Sequence, residues 1–217
     1  MLKKILLVGG SGGIGQGIWP LLQGKYDTYS TNSMDLNVTD FDGVCSFFEL
    51  TQNIPDILIY LSVYNFDSTL HKTSQETVAH QVAVACVGFS TVLRHCLPKM
   101  REKNYGRIIY VSSVLAERPI PGTGIYAASK AFNDTLVKVC AIENAKYGIT
   151  CNSIRLGYFD AGLTYRVPDH ILGKVMETIP LKRLGTMQEL VNAIDFIVNT
   201  EYLTGVNLSL SGGLNIC

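Results

Sequence analysis

Charge is scarce in this chain and balanced where it occurs. Only 17% of the 217 residues are Asp, Glu, Lys or Arg, and 18 acidic side chains face 18 basic ones, so the formal net charge is zero. A neutral surface has no general attraction for a polyanion or an anionic bilayer, so neither nucleic acid nor membrane is an expected partner. So small a charged share, beside 47% hydrophobic residues, also excludes a disordered chain. No C-x-x-C pair occurs among the cysteines at 45, 86, 96, 140, 151 and 217, and the four histidines are scattered. A disulfide framework and a metal site therefore both lack support, and no metal ligand is assigned. Cysteines within apolar runs such as VACVGF read as buried free thiols. Long apolar runs are missing too. The N-terminal MLKKILLVGGSGG offers only ILLV before its glycines, too little for a signal peptide core or a membrane span, and the chain reads as cytoplasmic.

What the chain does have is apolar residues in excess and 20 glycines. Its length suits one α/β domain covering residues 1–217. Apolar strand candidates are Lys4 to Val8, Thr28 to Thr31, Leu36 to Val38, Ile57 to Leu61, Arg107 to Ser112, Thr150 to Arg155 and Asn207 to Leu210. Between them lie helical patterns at Thr39 to Leu50, opened by a Thr-x-x-Asp cap, Ser74 to Arg101, Ala127 to Lys146 and Gln188 to Asn199. Alternating strands and helices predict a doubly wound parallel sheet of Rossmann type. Pro20 should kink or shorten the first helix. The second and third strand candidates are too close for a crossover helix, so the second crossover is shortened to a tight turn at TNSMD.

The stretch VGGSGGIGQG puts Gly9, Gly13 and Gly15 after a strand and at the start of a helix. That arrangement lets the backbone approach a pyrophosphate and turn its N–H groups and helix dipole on the anion. Ser11 and Ile14 belong to the same loop. At the end of the second strand, Ser30, Thr31, Asn32 and Ser33 give small donors and no carboxylate, which favours NADP(H); Asp35 lies near enough to leave NAD(H) open.

YAASK places Tyr126 and Lys130 one helical turn apart, and Ser113 ends the apolar strand RIIYVSS at the carboxyl edge where such sheets bind ligands. A neighbouring ammonium lowers a tyrosine pKa towards a useful range, Ser113 can donate to a substrate oxygen, and Tyr126 can deliver or remove its proton.

At these residues the chain resembles the short-chain dehydrogenase/reductase family, most closely its 3-oxoacyl-[acyl-carrier-protein] reductase branch. The resemblance continues through DILIY at 56–60, GRIIYVSSV at 106–114, YGITCNSI at 147–154, IPLKRLG at 179–185 and TGVNLSLSGG at 204–213. It implies an NAD(P)-dependent reduction of a ketone to an alcohol, or the reverse. Ser113 would polarise the carbonyl, Tyr126 act as acid or base, and Lys130 bind the nicotinamide ribose. Ser62, Gly157 and Phe159 would also meet the cofactor. Four stretches of the chain depart from the family. Tyr60, Leu61, Ser62 and Val63 replace Asn-Asn-Ala-Gly, Ala85 replaces the asparagine of the proton relay, Leu156 the proline before Gly157, and Ala161 a cofactor-contacting threonine. Asn104 and Tyr147 stand where carrier-dependent reductases are basic.

Tyr64, Leu115, Tyr158 and Leu163 are the expected substrate residues, with Phe66 and Arg155 nearby; such a pocket suits an acyl, polyketide-like or aromatic ketone better than a sugar. Residues 161–176, with Tyr165, Arg166, Pro168 and His170, form a candidate lid. Apolar residues on more than one face of the two long helices predict a partner, and the resemblance implies that it is another copy, in a homotetramer or dimer. Two other functions fit the same residues: non-redox proton transfer in dehydration, isomerisation or cyclisation, and a binding protein on an impaired site.

Overall fold

The computed structural model describes residues 2–51 and 54–216, so Cys217 lies outside it. Strand β1 (Lys4–Val8) shows how the sequence builds the sheet. It has four buried apolar residues in succession, with Ile5 and Leu7 in one core cluster and Leu6 and Val8 in another. Successive side chains of a strand point to opposite faces, so a run this apolar needs cover on both sides. Its partners are β2 (Asp27–Thr31), β3 (Ile57–Tyr60), β4 (Gly106–Ser113), β5 (Ile149–Leu156) and β6 (Asn207–Leu210). All pair in parallel, in the order β2-β1-β3-β4-β5-β6.

Helices α1 (Gly13–Leu22) and α7 (Met187–Asn199) cover one face, burying Ile18, Leu22, Leu190 and Ile194. Helices α2 (Phe41–Thr51), α4 (Gly88–Lys103) and α5 (Gly124–Asn144) cover the other with Val44, Phe48, Phe89, Val92 and Val137. Pro20 lies in α1, which ends two residues later. The pattern expected from Ser74 to Arg101 divides into α3 (Gln75–Val82), a π-helical turn at Ala83–Val87, and α4. Thr186 caps α7, its hydroxyl accepting from Glu189 N while the Glu189 carboxylate accepts from Thr186 N.

Three sequence expectations are corrected. Leu36 to Val38 is not a strand: Leu36 N donates to Asn32 O and Asp40 N to Asn37 O, so the segment is turns, and Leu36 and Val38 are buried by packing under α2 and α4. TNSMD therefore does not join two strands; it leads into α2, which carries the chain to β3. The cap of α2 is Asp40, whose Oδ1 accepts from Gly43 N, while Thr39 bonds Asn37. That crossover contains a helix, because α2 returns the chain across β1 from β2 to β3. Segment 161–176, the candidate lid, contains a 3-10 turn, Gly162–Arg166, and the start of α6 (Asp169–Thr178).

Of the described cysteines, 86, 96, 140 and 151 are buried and free, and Cys45 is half-buried and free. The continuous helix Gln75–Lys103 is long and apolar enough to cross a membrane by length and composition alone, with a mean hydropathy of 1.3 over an 18-residue window. Phe89, Val92, Cys96 and Met100 meet the sheet, which is how a core helix acquires that composition.

Candidate active site

The chain leaves β1, crosses to β2 on one side and returns to β3 on the other. A crevice opens at the carboxyl end of β1 where the direction reverses. The glycine loop fills that position. Gly9 has φ +82°, a left-handed conformation that suits glycine, and a Cβ there would stand 2.7 Å from Ser62 N and Oγ. A Cβ on Gly15 would stand 2.5 Å from Gly10 Cα. Helix α1 begins after Gly12 with no side-chain cap, so its first N–H groups face the loop's concavity without a protein acceptor from the cap.

A cleft of about 700 Å³ runs from this loop to the ends of β4 and β5. Gly9, Gly13, Ile14, Gly15, Ser113, Tyr126, Lys130, Gly157, Phe159 and Leu163 line it. Ser113 is the last residue of β4 and its Oγ accepts from Leu115 N at 3.2 Å. Tyr126 and Lys130 project from the first turns of α5, with Ser113 near enough to Tyr126 to lower its pKa. Lys130 Nζ donates to Val111 O at 2.7 Å and lies 5.5 Å from the centre of the Tyr126 ring.

The electrostatics differ from the sequence expectation. Burial pushes the Tyr126 phenol up to about 12; the Ser113 hydroxyl opposes this and the Asp67 carboxylate adds to it. Burial also draws Lys130 down to about 8, against the opposite pull of Asp134 and Cys86. The reason is burial, which disfavours both charged forms and outweighs the neighbouring groups that oppose it.

Other candidates are placed elsewhere. Ser62 packs against Gly9 at the edge of the loop, and Ser11 is exposed at its tip. Asn32 Oδ1 accepts from Met34 N and Asp35 N, and Ser33 is exposed on that turn. The expected substrate residues Tyr64, Leu115 and Tyr158 are outside the cleft lining. Tyr64 packs edge-on against His80, and Tyr158 lines a separate small pocket. Phe66 is exposed, and Arg155 is held by Asp134 and Glu117 at 2.7 Å each. His170 is an exposed residue of α6. The sequence reading missed Ser112, Thr164 and Met187 as lining residues and assigned no role there to Arg166. Alternation along β4 signals the setting of Ser112; nothing local signals Met187, which is brought in by packing against Gly17.

The residues present fit a nicotinamide dinucleotide. The loop is a cradle that Cβ atoms would fill, α1 presents its N-terminus, and Ser112 Oγ lies buried at the cleft with no hydrogen-bond partner among the described residues. Among the cleft-lining residues, Lys130 and Arg166 are the cations.

Comparison with known proteins agrees with this architecture. The family sequence model described as Enoyl-(Acyl carrier protein) reductase matches residues 24–215. The acetoacetyl-CoA reductase of Allochromatium vinosum is 33% identical over 82% of this chain and 74% of its own. The 3-oxoacyl-[acyl-carrier-protein] reductase MabA of Mycobacterium avium is 26% identical over 99% of this chain and 90% of its own. Among solved structures, "ElxO with NADP Bound" superposes with a TM-score of 0.90 at 21% identity over all of both chains. Fold and site thus define an α/β oxidoreductase with a dinucleotide crevice. The chain belongs to the short-chain dehydrogenase/reductase family of NAD(P)-dependent oxidoreductases.

Proposed function

We propose that the protein is an NADP(H)-dependent ketoreductase acting on a β-keto acyl thioester or a similar apolar ketone. The observation that carries this reading is the meeting of Ser113, Tyr126 and Lys130 in the cleft that holds the glycine loop. Ser113 donates to the substrate carbonyl oxygen and fixes it beside the Tyr126 hydroxyl. Tyr126, neutral at pH 7 because burial holds its pKa near 12, is in the donor form that reduction requires. As its proton moves to the oxygen, Lys130 stabilises the phenolate left behind. The nicotinamide supplies the hydride in reduction and accepts it in oxidation.

The glycine loop and α1 hold the pyrophosphate, with Ser11, Ser62, Gly157 and Phe159 completing the nucleotide's surroundings. Asp35 Oδ2 accepts from Asn32 N at 3.1 Å, so the one carboxylate near the adenosine end is engaged within its own turn; Asn32 and Ser33 remain as donors, which supports a 2′-phosphate. Leu61, Val63, Leu156 and Leu163 line the wall and support an apolar substrate, in keeping with the acetoacetyl-CoA and 3-oxoacyl substrates named for the relatives. Val87 of the π-turn and Phe132, Val139 and Ile142 of α5 are exposed, which supports a homo-oligomer built on these helices. Light scattering after gel filtration tests that assembly.

Mixing the protein with NADPH and a panel of β-keto thioesters and aromatic ketones tests the activity. Consumption of NADPH with formation of the alcohol is expected. Failure of calorimetry to detect binding of either nucleotide would overturn the reading.

A further inference from the structure

Lys130 directs its ammonium into the protein, where the side chain is 3% exposed and Val111 O is its hydrogen-bond acceptor. Two aromatic rings flank the charge, Tyr126 and, nearer, Tyr110, whose centre is 4.8 Å away. Tyr110 is fully buried in β4 and lies outside the cleft lining. Tyr60 stacks on its ring at 6.1 Å and Phe89 tilts against it at 4.9 Å.

Filling that space needs a ring and no hydroxyl, yet the hydroxyl is held. Asn133, one turn beyond Lys130 on α5 and fully buried, donates from Nδ2 to Tyr110 Oη at 2.9 Å and to Ala85 O at 2.8 Å. Ala85 belongs to the π-turn, and Tyr60 Oη donates to the adjacent carbonyl, Val84 O, at 2.6 Å. A π-turn breaks the regular helical ladder, and here side chains of β3 and α5 engage two of its carbonyls. Asn133 Oδ1 meanwhile is buried without a partner among the described residues, a cost that an apolar side chain would avoid.

We propose that Tyr110 and Asn133 are positioning residues for Lys130: Tyr110 supplies the ring face on which the ammonium rests, and Asn133 fixes the tilt of that ring. The inference rests on the reading of Lys130 as part of the reaction site. The groups facing Lys130 are Asp134 of α5, itself paired with Arg155 of β5, Cys86 of the π-turn, and the rings of Tyr126 and Tyr110. Burial holds the Tyr110 phenol far above its ordinary range, so it presents a neutral electron-rich face to the cation.

The test follows the titration of Lys130 by NMR on lysine-labelled protein without nucleotide or substrate. Tyr110→Leu is expected to lower the Lys130 midpoint by about half to one pH unit, the span to which a cation–π contact of this kind corresponds. Asn133→Leu and Tyr110→Phe, each of which keeps the ring but breaks the Asn133–Tyr110 hydrogen bond, are each expected to lower it by less. In turnover, Tyr110→Leu should reduce kcat with little change in nucleotide KM. An unmoved or raised midpoint in a Tyr110→Leu protein that still unfolds cooperatively would overturn the proposal. If that variant does not fold, Asn133→Leu decides by the same criterion. Wild-type protein without nucleotide-dependent turnover would overturn the oxidoreductase reading, and the NMR comparison would still decide the positioning.

Discussion

Gly13 and Gly162 face each other across the cleft wall: a Cβ built on Gly13 would lie 2.5 Å from Gly162 Cα and 2.6 Å from Gly162 N. Both obstructing atoms are backbone, so neither can swing aside. The contact seats the turn at 162–166 directly on the nucleotide loop. Gly13→Ala is therefore expected to push the two apart, weakening nucleotide binding by at least about tenfold and lowering stability by roughly 1–3 kcal/mol. Calorimetric titration with NADPH and thermal melts measure the two effects.

Tyr126→Phe removes the proton donor but keeps the ring beside Lys130. The expected loss in kcat is about 10²–10⁴-fold, with nucleotide affinity close to that of the wild type. Single-turnover kinetics with NADPH in excess, alongside a binding titration, check both parts.

Lys130 is costly to the fold. Its folded pKa of about 8 lies below the unfolded 10.5, so the folded state binds this proton less tightly. The penalty is fully present below pH 8 and shrinks as pH rises to 10.5, where the unfolded chain also loses the proton. Lys130→Met is thus expected to raise stability at pH 7 by roughly 1–3 kcal/mol while abolishing turnover, the gain fading between pH 8 and 10.5. Denaturant melts across that pH range provide the measurement.

Thr186→Ala removes the hydroxyl that accepts from Glu189 N at the start of α7. A loss of about 1 kcal/mol is expected, read as a shift in thermal midpoint, with turnover retained.

The parts legible in the sequence are those whose signal is local. VGGSGGIGQG follows an all-apolar strand, Ser113 ends another, and Tyr126 and Lys130 share a helix face, so each could be placed before any tertiary contact was known. Leu36 and Val38 misled because two apolar residues flanking an asparagine imitate a strand; their burial comes from α2 and α4 packing over a turn. The direction of Tyr64 is set by a neighbour, His80, which periodicity does not encode. Helix α6 was hidden by the lid reading, although Ile171, Leu172, Val175 and Met176 recur at helical spacing.

The most direct test of the central claim is to offer a β-keto thioester to the wild-type protein with NADPH and follow both reactants. The account predicts that ketone and NADPH disappear mole for mole as the β-hydroxy thioester forms, faster than with NADH. Conversion of the thioester at an unchanged rate after all nucleotide has been stripped from the protein would contradict it.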